Sequence, residues 1–111
     1  MFRERGNAKV KRGKSILQPE VTRSARKCYI TERTDSIELH HIYPGKNRKT
    51  SDEQGFWVYL TAEMHRKVHD NPNDDLDAFL KRLCQRKFEK KHTRGDFLKL
   101  IGKSYLEDGD A

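Results

Sequence analysis

The sequence is short of the residues that build large interiors. Only 33% of its 111 residues are hydrophobic, and its longest apolar run is Phe56-Trp57-Val58-Tyr59-Leu60. A membrane-spanning helix needs about 20 apolar residues, so no span is expected, and no apolar signal core follows Met1. The expectation is a soluble protein of the cytoplasm with no membrane partner. The two cysteines, Cys28 and Cys84, can form at most one bridge. They supply neither a disulfide framework nor a complete four-thiolate zinc site. A chain of this length fits one domain with a modest core, which argues against a large enclosed cofactor cavity.

Charge is what the chain has in quantity, and it is unevenly placed. Charged residues make up 37% and the net charge is +7. Residues 1–27 hold nine basic residues, including Lys9, Lys11, Arg12, Lys14, Arg23 and Arg26, against Glu4 and Glu20. The rest of the chain is balanced, with 15 residues of each sign. We read 1–27 as a basic, partly flexible arm, too poor in apolar residues to fold alone, and 28–111 as the domain. The arm's expected use is attraction to a polyanion, whose neutralised phosphates release counterions. The alternative is a solvated tail.

Hydrophobic patterning predicts a short strand at 28–30, a turn at 34–36, a strand over 37–43 stopped by Pro44-Gly45, a polar loop over 46–54 and a strand over 55–60. Thr61 is placed to cap a helix reaching Asp70. Asp74 or Asp75 caps a longer helix to about His92, with an apolar stripe at Leu76, Phe79, Leu80, Leu83, Cys84 and Phe88. Thr93 caps a last helix that ends at Gly102. The fold class is α+β, with a basic N-terminal arm and two C-terminal helices after the first.

Four of the five histidines fall within 30 residues: His40, His41, His65 and His69. His65 and His69 are four apart on one predicted helix, so they share a face and can grip one metal ion. His40 and His41 are neighbours on a strand and point to opposite faces. One can complete a three-histidine site, which leaves coordination positions open as catalytic sites do. The other needs a bend near Pro44, or strand twist, to reach the same cleft. A pair of histidines on a charged helix face is equally a plain surface feature.

The run Glu38-Leu39-His40-His41-Ile42-Tyr43-Pro44, followed by a β segment and then Leu60-Thr61-Ala62-Glu63-Met64-His65-Arg66-Lys67-Val68-His69, resembles the HNH nuclease motif. Further segments between Lys14 and Leu106 look like small HNH-type proteins of phages and prophages, and more loosely like RecA-dependent phage nucleases. The resemblance implies a ββα-metal core and a metal-dependent endonuclease acting on DNA. It implies one divalent ion (Mg, Mn, Ni or Zn) on His40, His65 and His69, with His41 as general base. DNA is then the partner, with phage or host recombination proteins as further ones and the oligomeric state open. Arg48 and Lys49, with Lys9, Lys11, Arg12 and Lys14 of the arm, are the expected phosphate contacts.

The chain departs from that family at three places. Thr31 and Thr61 stand where the small HNH proteins carry cysteines beyond Cys28, so no structural zinc is expected. Phe56 stands where the family's middle Asn would be, and Asn47 is the nearest substitute to orient His41. Met64-His65 replaces a His-His pair at the helix start. These departures keep a second reading open, a DNA-binding protein that has lost catalysis. A third is a protein-interaction module using the exposed face of the long helix.

Overall fold

The computed structural model describes residues 12–72 and 74–107; Lys9 and Lys11, two of the expected phosphate contacts, lie outside them. Two strands, β1 (Ile37–His41) and β2 (Trp57–Thr61), pair antiparallel, with Leu39 opposite Tyr59 and His40 opposite Val58. Side chains alternate across such a pair, so one face carries His40, Val58 and Leu60 and the other carries Ile37, Leu39, His41, Trp57 and Tyr59. The first face is the buried one: Val58 and Leu60 are fully enclosed.

Between the strands lie a 3-10 turn (Gly45–Asn47) and helix α1 (Arg48–Gln54). After β2 come α2 (Ala62–Asp70), α3 (Asp75–Phe88) and α4 (Arg94–Ile101). The chain is therefore α+β, as its patterning predicts. Thr61 turns the chain from β2 into α2, its hydroxyl accepting from the Met64 N–H at 3.2 Å. Thr93 and Asp96 form a reciprocal capping box at the start of α4, and Gly102 ends that helix at φ +102°. No helix among the described residues is long and apolar enough to cross a membrane.

The core joins Cys28, Ile42, Tyr43, Phe56, Val58 and Leu60 to Val68, Leu80, Cys84, Phe88, Phe97 and Ile101. Tyr43 is central. Its ring meets those of Phe56, Phe97 and Tyr105 at 5.5 Å each, and its buried hydroxyl donates to the Lys81 carbonyl at 2.6 Å. Burying side chains of this size contributes roughly 1.5–3 kcal/mol each.

Three sequence expectations need correction. The polar stretch 46–54 is largely helical, as α1, and not a loop. It has no apolar periodicity because it docks through polar groups: the buried Ser51 hydroxyl donates to the Tyr43 carbonyl at 2.8 Å and accepts from the Tyr43 N–H at 3.2 Å. Residues 28–30 form a turn rather than a strand, closed by Glu32 N–H to the Cys28 carbonyl and Cys28 N–H to the Arg33 carbonyl, both 2.8 Å. The Tyr29 N–H reaches β2 at the Tyr59 carbonyl, without extending the sheet.

The buried face of α3 is also rotated from the apolar stripe. Leu80, Cys84 and Phe88 are buried as expected, but Phe79 is 47% exposed, while Asp77, Lys81 and Gln85 are buried. Asp77 and Lys81 pair at 2.9 Å inside the protein. Gln85 holds the C-terminal segment, accepting from the Tyr105 N–H and donating to Ser104.

Part of the arm is tied to the domain. The Gly13 and Ile16 N–H groups donate to the carbonyls of Asp52 and Gly55, the Trp57 indole donates to the Gly13 carbonyl, and Gln18 accepts from the Tyr59 N–H. Two glycines permit this approach. A Cβ on Gly13 would run into the Glu53 carbonyl oxygen, and one on Gly55 (φ +79°) into that of Lys14.

Candidate metal centre

β1 delivers His40 to its buried face, and α2 delivers His65 and His69 from one helix face onto the same point. One ring nitrogen from each lies within 4.8 Å of the other two. The ring centroids are 5.2 Å apart for His40 and His65, 5.8 Å for His40 and His69, and 4.6 Å for His65 and His69. The Nε2 atoms of His65 and His69 are 3.0 Å apart. Two nitrogens on one tetrahedral ion, with bonds of about 2.0–2.1 Å, stand about 3.3 Å apart, so this spacing is close to that of a ligand pair.

Three observations fit a cation here. His40 is 2% exposed and neither of its ring nitrogens has a hydrogen-bond partner. Such orphaned buried groups are uncommon and need a reason. Burial first, and then the neighbouring imidazoles of His65 and His69, push the His40 pKa down to about 3, with Asp77 partly opposing them. The ring is therefore neutral, the form that binds metals. Lastly, Glu38 Oε1 is 2.7 Å from His65 Nδ1. A carboxylate accepting from Nδ1–H leaves Nε2 as the free lone pair and fixes the ring, as carboxylate partners of metal-binding histidines do.

Exposure rises from His40 (buried) through His65 to His69 (exposed). The site is closed on the core side and open on the other. A cleft of about 480 Å³ begins there and is bordered by Arg12, His41, Gly45, Arg48, His65 and His69. It passes round the end of β1, which is how His41, on the opposite sheet face from His40, comes to share a cleft with the helix histidines.

His41 is held in place. Its Nε2 is 2.9 Å from Asp52 Oδ1, and the same oxygen accepts from Arg12 Nε at 2.7 Å. Burial works against a charged Asp52, but the hydrogen bonds from Arg12 and His41 outweigh it and hold the carboxyl below its ordinary range. An ionised carboxylate only accepts, so His41 carries its proton on Nε2 and leaves Nδ1 as the basic nitrogen.

Asn47, expected to orient His41, is placed elsewhere: its Nδ2 donates to the Ile101 carbonyl at 3.0 Å. It ties the start of α1 to the end of α4. Phe56 is fully buried in the core. Arg48 and Lys49 border the open groove beside His41, with Arg12 and Asp52. Lys14 stands apart from that groove and pairs with Glu20 at 3.4 Å. Cys28 is buried, and its sulfur accepts from the Thr31 N–H at 3.4 Å.

Sequence reasoning missed Glu38 and Asp52. Glu38 was within reach, because it lies two residues before His40 and so on the same face of the strand. Asp52 gave no signal, since it belongs to the helix read as a loop. Compared with protein-family models, curated proteins and solved structures, the chain matches none.

Proposed function

We propose that this chain is a metal-dependent endonuclease of the HNH type, which hydrolyses DNA phosphodiester bonds on a ββα-metal core made by β1, β2 and α2. The observation that carries this reading is the convergence of His40, His65 and His69 beside a cleft that also holds a carboxylate-anchored histidine, His41. A structural metal site would be closed all round, whereas this one opens on a groove bordered by arginines.

His40, His65 and His69 would hold the ion. When bound, it supplies Lewis acidity that steadies charge building at phosphorus. The chain's own groups do the rest. Arg48 and Lys49 draw the phosphodiester into the groove, Arg with two parallel donors. Asp52 fixes the His41 ring, and His41 Nδ1 takes a proton from water as the water oxygen bonds to phosphorus. The bond from phosphorus to the leaving oxygen then breaks, and that oxygen takes a proton from solvent.

The test is plasmid nicking by metal-stripped protein reconstituted with Mg²⁺, Mn²⁺, Ni²⁺ or Zn²⁺, with His41→Ala alongside. At least one metal should restore nicking, and His41→Ala should lower the rate by about 10²–10⁴-fold with DNA binding retained. A His41→Ala protein that nicks at the parental rate removes His41 as the base. One observation favours a second reading, in which the chain binds DNA without cutting it: Phe56, where the family motif has its Asn, is locked in the core. That reading predicts salt-sensitive DNA binding with no nicking under any of the four metals.

A further inference from the structure

The half-open face of the sheet carries a groove that the metal centre does not use. It is lined by Arg12, Arg23, Arg26, Ile37, Leu39 and Tyr59 and has a volume of about 270 Å³. A second groove of about 230 Å³ continues it along residues 12–21 to Trp57, again with Arg12, Arg26 and Tyr59 in its wall. Arg12 also borders the cleft at His41, His65 and His69. The grooves and the cleft therefore meet at one arginine.

Arg12 is paired with Asp52 at 2.7 Å, but the other two arginines of this face have no such partner among the described residues. Arg23 lies exposed on a 3-10 turn (Arg23–Ala25). The Arg26 guanidinium stands 4.9 Å from the centroid of the Tyr59 ring, and its shielded Nε donates to no protein group. The aromatic ring orients the fork without cancelling its charge. Glu20 is the acidic residue in these walls, and it is paired with Lys14. Oriented, unpaired arginines beside an apolar floor suit a phosphodiester backbone, whose planar bidentate contacts arginine matches.

We infer that DNA duplex flanking the cleaved bond lies along this sheet face, with Arg23 and Arg26 on its phosphates and Arg12 at the junction with the metal cleft. The inference rests on the reading that the cleft takes DNA. From Ile37 to His41 the strand covers roughly 13 Å, which spans about four phosphates at 3.4 Å of axial rise per strand. Two arginine contacts along that length are sterically ordinary.

The test is fluorescence anisotropy with a labelled 20-base-pair duplex, in chelator so that cleavage plays no part. It uses the parent, Arg23→Gln, Arg23→Gln/Arg26→Gln and, as a charge-matched comparison on exposed α4 surface, Lys99→Gln. Each lost phosphate contact should lower the slope of log K against log salt by about 0.9. The double variant should lose about two such steps, with affinity down about 10-fold or more at 0.1 M salt. Arg23→Gln alone should lose about one step, and this exposed position carries the test even where the Arg26 change disturbs packing. Lys99→Gln should match the parent.

An unchanged slope in both arginine variants overturns the inference. So does an equal loss in Lys99→Gln, which would reduce the effect to net charge, or a parent that fails to bind duplex. A parent that binds through these arginines but never nicks leaves the inference standing and removes the nuclease reading. A nicking parent whose arginine variants bind normally does the reverse.

Discussion

Glu38 and His65, 27 positions apart in the chain, meet at 2.7 Å between Oε1 and Nδ1. The contact exists because β1 pairs with β2 and Thr61 turns the chain from β2 directly into α2. It makes His65 a ring of fixed tautomer in place of a free surface side chain. Glu38→Gln should therefore weaken metal binding by about 10–100-fold while leaving the fold intact, since Glu38 is exposed. Competition against a chromophoric chelator measures this, and parental affinity in the variant would show that the carboxylate has no hold on the site.

Asp52 should act on His41 without acting on the ion. In Asp52→Ala the nicking rate should fall by about 10–100-fold with metal affinity within about twofold of the parent. Nitrogen-15 shifts of the histidines offer a readout independent of activity. The parent should show His41 protonated at Nε2, and the variant a mixture of tautomers. A parent already showing the mixture removes Asp52 as a positioning residue.

The buried His40 makes metal-free protein sensitive to acid. In the folded chain it resists protonation to about pH 3, whereas an unfolded histidine takes up its proton near pH 6.5. Between those values the unfolded state binds more protons, so stability falls as pH falls. Its share is fully present above about pH 6.5, and about 2 kcal/mol of it is gone at pH 5. Urea unfolding of metal-free parent and His40→Asn across that range separates this share, because the variant should show a flatter dependence. Equal slopes would count against the burial argument.

Gly55 lets the N-terminal segment lie against the end of α1. Gly55→Ala adds a left-handed penalty and a collision with the Lys14 carbonyl, so it should cost at least about 1 kcal/mol. The melting temperature should drop by about 4–8 °C or more. Melting at the parental temperature would mean that the segment is not held as described.

The rotated face of α3 separates two phenylalanines. Phe88→Ala should cost about 3–5 kcal/mol, because Phe88 packs against Phe56 and Phe97 in the core. Phe79→Ser, at a 47% exposed position, should stay within about 0.5 kcal/mol. Comparable losses at both positions would mean that the helix is turned the other way.

Legibility in the sequence followed the physical signal each element carries. The caps at Thr61 and Thr93 and the stop at Gly102 are local hydrogen-bond and dihedral requirements, so a few residues suffice to reveal them. The His65 and His69 pair follows from helical spacing, and the role of one of the two strand histidines from alternation. Helix α1 was invisible because Ser51 and Asp52 anchor it through polar contacts to residues distant in sequence, which leaves no hydrophobic period. The facing of α3 was misread for a related reason: the buried Asp77–Lys81 pair satisfies its charges internally, so charged residues occupy positions that patterning reserves for apolar ones. Asn47 was assigned by nearness in sequence to His41, and only the packing of α4 reveals that its amide is committed to Ile101.

Both thiols are sealed in the interior, Cys28 and Cys84 each with no exposed surface. Chemical labelling can therefore be done without first stripping the native cysteines. A Lys99→Cys variant, at an exposed position away from the arginine face, would offer one reactive sulfur to a maleimide dye, and the protein could be handled in air, free of the reductants that sequester transition metals. Distance measurements between dye and duplex then become a route to the orientation of bound DNA.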